Sequence, residues 1–253
     1  MSKNRFLANC KLCGQLKLLV KSHIIARSFF LHSKGCSKHW SEARQHDSKD
    51  VQIWQNGVWD DTIVCSTCEE RMCEWDSYGF QILGGPPGGD SFPKSESDIE
   101  AFVLKNVDYT KLKLFALSIL WRASVSSQPF FARINLGPHE PIIGKMLLQG
   151  TPGPFNDYAV FISRLVDQKF PRIIFPPCHQ RTQEGINFTL LFLPSIKIMV
   201  QVDRRPIPKQ LQPAVFKSQR ENLLLPMKWL RHEWTALLSA ARIFKSRTPG
   251  QMS

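Results

Sequence analysis

The chain of 253 residues reads as an α+β protein in two parts: an amino-terminal unit built around paired cysteines, then a helical and antiparallel β region. Three observations carry that reading. The first is a repeated short spacing, Cys10-Lys-Leu-Cys13 and Cys65-Ser-Thr-Cys68. The second is Gly84-Gly-Pro-Pro-Gly-Gly89, a run in which neither helix nor strand can continue. The third is the order of the remaining chain, helical runs and then strand-like runs separated by turn residues. Together they set the boundaries: 1–83 for the first unit, 84–95 for a Gly/Pro-rich linker and 96–253 for an α+β domain of unassigned role.

A Cys-x-x-Cys knuckle presents two thiolates to one metal, so two knuckles predict a closed tetrahedral Zn²⁺ site with Cys10, Cys13, Cys65 and Cys68 as ligands. Between them, Lys17 to Ile25 reads as a strand or hairpin arm. Ser33 to Asp50 is polar and lacks a hydrophobic period, which predicts a surface loop and a candidate nucleic-acid contact. Val51 to Trp59 looks like a hairpin closed by Asn56-Gly57. Ser66 to about Phe80 is helical in spacing and carries the second knuckle at its N-terminus. Knuckle, hairpin and knuckle-bearing helix is the order of a treble-clef zinc unit. Beyond the linker, Ser97-Asp-Ile-Glu100 resembles a helix start, Tyr109 to Ser124 a buried helix and His139 to Leu148 another helix. Tyr158–Val166, Arg172–Phe175 and Ile186–Val202 are strand-like, the last a hairpin broken at Pro194-Ser195. Pro226 to Phe244 has the pattern of a closing amphipathic helix.

Composition narrows the class. An apolar content of 43%, with 17 Phe and 7 Trp, is ample for a buried core. No basic-then-apolar leader follows Met1 and no uncharged apolar run is long enough to span a bilayer, so a cytoplasmic protein with no membrane partner is expected. Seven cysteines, four in knuckle spacing, fit a reducing compartment and metal binding better than a disulfide framework. Cys73 and Cys178 read as ordinary buried thiols, and Cys36-Ser-Lys-His39 as half of a ligand set without partners. The net charge of +12 is uneven: residues 1–50 carry ten Lys/Arg against three acids, and 201–253 carry ten against three. Residues 51–95 reverse this with seven acids against Arg71 and Lys94. Basic ends suit a polyanionic backbone and the acidic island suits a cation.

Ser22-His23-Ile24-Ile25, lying between the knuckles, resembles the Ser-His-Ile-Ile segment of zinc-stabilised HNH (ββα-metal) endonucleases, and the likeness runs from about Cys10 to Tyr78. The resemblance implies a nuclease that hydrolyses phosphodiester bonds, DNA above all, with a Mg²⁺-like divalent cation beside the structural Zn²⁺. His23 takes the place of the general base, and an imidazole with a pKa of about 6.5 accepts a proton from water at neutral pH. Glu69, directly after Cys68, takes the metal-ligand position on the helix. Asp60, five residues before Cys65, falls near the family's Asn and is expected to orient His23 by accepting from its ring N–H. Ser22 stands where a metal-binding acid is usual, and a hydroxyl is a poorer Mg²⁺ ligand than a carboxylate. Glu74 and Asp76 read as surface acids. The competing reading is a zinc-stabilised module that binds DNA or a protein without cutting; the carboxy-terminal region offers a surface for a protein partner.

Overall fold

A computed structural model describes residues 7–33, 40–42, 52–54, 57–84, 102–165, 177–194 and 196–227, and these form a mixed α/β fold with antiparallel sheets. The elements in chain order are β1 (Leu7–Asn9), β2 (Leu16–His23), α1 (Arg27–Ser33), β3 (Trp40–Glu42), β4 (Gln52–Trp54), β5 (Trp59–Cys65) and α2 (Ser66–Leu83). After the Gly/Pro-rich run come β6 (Phe102–Lys105), α3 (Tyr109–Val125), α4 (Glu140–Gln149), β7 (Val160–Leu165), β8 (Cys178–Arg181), β9 (Asn187–Leu193), β10 (Ile196–Gln201) and β11 (Glu221–Met227).

Among the described residues, the first part is a three-stranded sheet in the order β1-β2-β5, on which α2 packs. The chain reverses between β1 and β2 at Gly14, whose φ of +72° is cheap only for glycine. β2 and β5 are antiparallel, with Leu19 opposite Cys65 and Ser22 opposite Asp60, and the register shifts between Val20 and Ser22. The expected hairpin over 51–59 is replaced by a different pairing: Gln52–Trp54 runs antiparallel to Trp40–Glu42, while Trp59–Cys65 joins β2. Residues 40–42 therefore belong to a strand inside the stretch read as loop.

The second part is a six-stranded sheet in the order β6-β11-β7-β10-β9-β8, antiparallel except where β11 runs parallel to β7. The expected strand 158–166 and the hairpin at 194–195 correspond to β7 and to β9–β10. Pro226, read as a helix start, instead lies in β11. The expected elements at 97–100 and 172–175, and the closing helix beyond residue 227, lie outside the described residues.

α3 joins the two parts. Its sequence is mostly apolar, with large apolar residues on every side, which is the mark of a helix enclosed by the core, and Leu112 to Ala123 are all buried. Asp108 caps it, accepting from the Lys111 N–H at 3.0 Å. Phe29 of α1 lies 5.2 Å from the Phe80 ring of α2 and 5.8 Å from the Phe115 ring of α3. Gly79 lets α2 and α3 meet there: a Cβ at that position would fall 2.5 Å from the Phe115 ring. Buried residues from Cys10 to Leu224 accordingly form one continuous cluster, and a smaller one around Phe161 and Phe188 covers the other face of the six-stranded sheet.

Lys113, 1% exposed, is enclosed with α3 and donates to the Tyr109 hydroxyl at 3.1 Å and to the carbonyls of Pro154 at 2.6 Å and Asp157 at 2.7 Å. Burial pushes its pKa down to about 8, against a smaller upward pull from the Asp157 charge. Between about pH 8 and the ordinary lysine value of 10.5, the unfolded chain then binds the extra proton, so stability rises with pH across that window. Tyr109, pushed up to about 12 by burial, opposes this only above its ordinary value of 10.0. Comparing wild type with Lys113→Met in denaturant melts at pH 8 and pH 10 is expected to show a gain of about 1–2 kcal/mol present in wild type alone. Equal slopes in the two proteins would contradict that assignment.

Candidate functional site

The cysteine site is assembled from ends of strands. β1 stops at Asn9, and the next turn is closed by Gly14 N–H to Cys10 O at 2.8 Å and Cys10 N–H to Gln15 O at 2.9 Å. Cys65 is the last residue of β5 and the N-cap of α2, and Cys68 sits in the first turn of that helix. The Lys11 N–H to Ile63 O bond, 2.9 Å, holds the first knuckle beside the second. All four sulfurs lie within 4.8 Å of one another, with Cys13 Sγ 4.0 Å from Cys65 Sγ, and three of the residues are buried. Tetrahedral thiolates around a zinc-sized ion would be separated by about 3.8 Å. The four cysteines are close enough to hold a metal ion. Burial opposes the thiolate at Cys10, yet backbone N–H donors, with that of Cys65 at 3.4 Å, bring it down to about 7. Burial and the Cys10 charge drive Cys68 upward. Such crowding is what a shared cation relieves.

Beside this cluster, β2 and α2 bring together most of the residues singled out from the sequence. Ser22 is fully buried and neighbours the Glu69 carboxylate. Neither Ser22 Oγ nor Glu69 Oε2, both buried atoms, has a hydrogen-bond partner among the described residues. Burial raises the Glu69 pKa, with Arg122 and Ser22 acting against it and Asp76 adding to it. His23, half-buried at the end of β2, lies opposite Trp59, and its backbone carbonyl accepts from Arg122 Nη1 at 2.5 Å.

Asp60 has a different task from the one expected. Its Oδ1 accepts from the Thr62 N–H at 2.8 Å and hydroxyl at 2.6 Å; its Oδ2 accepts from the Ser126 hydroxyl at 2.9 Å and from the Ser127 N–H and hydroxyl at 2.9 and 3.1 Å. These donors outweigh burial and hold its pKa below the ordinary value. The carboxylate is committed to fastening the segment after α3, and the donors to it are Thr62, Ser126 and Ser127 rather than the expected His23 ring.

Three further residues depart from the sequence reading. Asp76, taken for a surface acid, is buried and bound by both ends of the Arg122 fork, at 2.7 and 2.9 Å. Cys73, taken for a buried thiol, is exposed, and its Sγ–H donates to Glu69 Oε1 at 3.8 Å. Desolvation of that thiol and the Glu69 charge push it up to about 11. Arg122 is a residue the sequence reading misses, and its signal is an arginine inside a mostly apolar helical run, which points to a buried ion pair. Asp76 lies seven residues from Glu69, two helical turns on the same face, which is the corresponding signal in α2.

No family model, curated protein or solved structure matches this chain. No described helix is long and apolar enough to cross a membrane.

Proposed function

We propose that the chain is an HNH-like, metal-dependent endonuclease that hydrolyses phosphodiester bonds in DNA, with Cys10, Cys13, Cys65 and Cys68 holding a structural Zn²⁺ in a treble-clef unit. The observation that carries this reading is a pair of buried oxygens without a hydrogen-bond partner among the described residues: Ser22 Oγ from β2, whose chain neighbour is His23, and Glu69 Oε2 from α2. An orphaned buried polar atom costs about 1–3 kcal/mol, and a cation or its water bound beside both oxygens would relieve that cost. Glu69 and Ser22 would hold a divalent ion such as Mg²⁺, which supplies charge stabilisation to a phosphoryl group in its transition state. His23 accepts the proton of the attacking water as the new P–O bond forms and the bond to the leaving oxygen breaks. The leaving oxygen takes its proton from solvent. The exposed Arg27, four residues beyond His23, would meet a backbone phosphate.

A second reading, a zinc-stabilised module that binds DNA without cutting, draws on two features of the same site. Ser22 offers no negative charge where a ligand acid would, and the buried Arg122 guanidinium pulls the Glu69 pKa down as a bound cation would. Plasmid nicking by the metal-loaded full chain, titrated with Mg²⁺ and Mn²⁺, separates the two. Nicking that saturates with divalent cation is expected. Binding of the plasmid with no nicking at any cation concentration would leave the binding module.

A further inference from the structure

An arginine buried in the last turn of a core helix must account for five N–H donors in a place without water. Arg122 is 0% exposed, and its donors go to three different elements. Nη1 and Nη2 take the two oxygens of Asp76 on α2; Nη1 also reaches His23 O at the end of β2; Nε and Nη2 return to the carbonyl and hydroxyl of Ser118 on α3, at 3.3 and 3.2 Å. A pair that served only to neutralise Asp76 would need the first of these contacts. The bond to His23 O goes further, because it fixes the peptide plane that leaves His23, just where β2 gives way to the bend before α1.

The next turn of α3 is fastened to the same unit. Lys11, inside the first cysteine knuckle, donates its Nζ to Val125 O, the last carbonyl of the helix, at 2.6 Å. Asp60 of β5 takes the Ser126 and Ser127 donors just beyond it. Three attachments within six residues hold this end of α3 on β2, β5 and the knuckle, leaving Arg122 little freedom to shift. Asp76, held by the Arg122 fork, lies two turns after Glu69 on the same face of α2.

We propose that Arg122 is a positioning residue for the His23–Glu69 site, so that a helix from beyond the Gly/Pro-rich run completes a site otherwise built by the cysteine unit. The proposal rests on the endonuclease reading for its kinetic consequence and on the contacts above for its structural one. Arg122→Lys keeps the charge but cannot span both Asp76 oxygens and the His23 carbonyl at once. The double variant Arg122→Met/Asp76→Leu replaces the ion pair by apolar groups of similar volume.

The test measures three quantities on the full chain: metal content with thermal melting, kcat and KM for plasmid nicking, and the His23 ring resonances in a histidine-labelled sample, assigned by their loss in His23→Gln. In each folded variant the ring resonances are expected to shift, and kcat to fall by about a hundredfold with KM nearly unchanged. Metal content should stay at the wild-type level. Unmoved resonances in a folded variant would overturn the positioning role, whatever the activity. Failure of both variants to fold would also overturn it, leaving Arg122 as a structural ion pair. Should wild type not nick at all while the resonances still move, the endonuclease reading falls and the positioning role stands.

Discussion

His23→Ala is expected to lower plasmid nicking by about 10²–10⁴-fold, the usual contribution of a positioned general base, with folding and metal content unchanged. The division follows from how His23 is held. Its contribution to the fold runs through its backbone, whose carbonyl accepts from Arg122, and alanine keeps that carbonyl. The strand end is anchored by the next two residues, Ile24 and Ile25, at 0% and 1% exposure. The ring itself is only half-buried, so its removal should leave no large sealed cavity. Nicking rates at saturating Mn²⁺, set beside the melting curve and metal stoichiometry of the same sample, make the comparison. Wild-type rates in a fully folded His23→Ala protein would remove the imidazole from the mechanism.

The second large effect is expected at the cysteine cluster. Cys65→Ser should abolish stoichiometric metal binding and the cooperative unfolding transition, since structural zinc in small units contributes an apparent 10–16 kcal/mol, roughly. Cys65 is the most consequential of the four for a local reason. It ends β5, begins α2 and lends its N–H to Cys10 Sγ, so a single change disturbs strand, helix start and opposite knuckle. The effect should extend past the first part, because α2 shares its buried surface with α3. Elemental analysis and thermal melts of wild type, Cys65→Ser and the control Cys178→Ser give the readout. Cys178 lies on β8, outside the cluster, and its variant should retain both metal and transition. A Cys65→Ser protein that melts within a few degrees of wild type would show that the cluster is not a structural metal site.

What was legible in the sequence was local. The two knuckles could be read because their spacing alone places sulfurs together, and α2, α3 and α4 because their apolar periods are long enough to distinguish. The β9–β10 hairpin could be read because a single Pro-Ser break separates two apolar runs. What was not legible depended on partners far along the chain. β11 pairs with β6 across more than a hundred residues and carries Pro226, a residue that argues against a strand wherever its N–H would be needed. The Asn56-Gly57 dipeptide suggested a hairpin, but the register that won pairs Trp54 with Trp40 and Trp59 with His23. The same distance hid the polar half of the site. Asp76 and Arg122 are 46 positions apart, and each taken alone looks like an exposed charge or an exception. The spacing from Cys65 places Asp60 near the site, while two of its donors, Ser126 and Ser127, come from just beyond the end of α3.

The continuous core across the Gly/Pro-rich run has a consequence for how this chain can be cut and recombined. Lifted out as a cassette, residues 7–84 would present the Gly79 face of α2 bare to water and leave Asp76 without its counter-charge. A chimaera built on the cysteine unit would have to import a helix equivalent to α3, with a phenylalanine to seat on Gly79 and an arginine two turns later. Such a unit is inherited together with its neighbour, and the two halves are free to vary only as a pair.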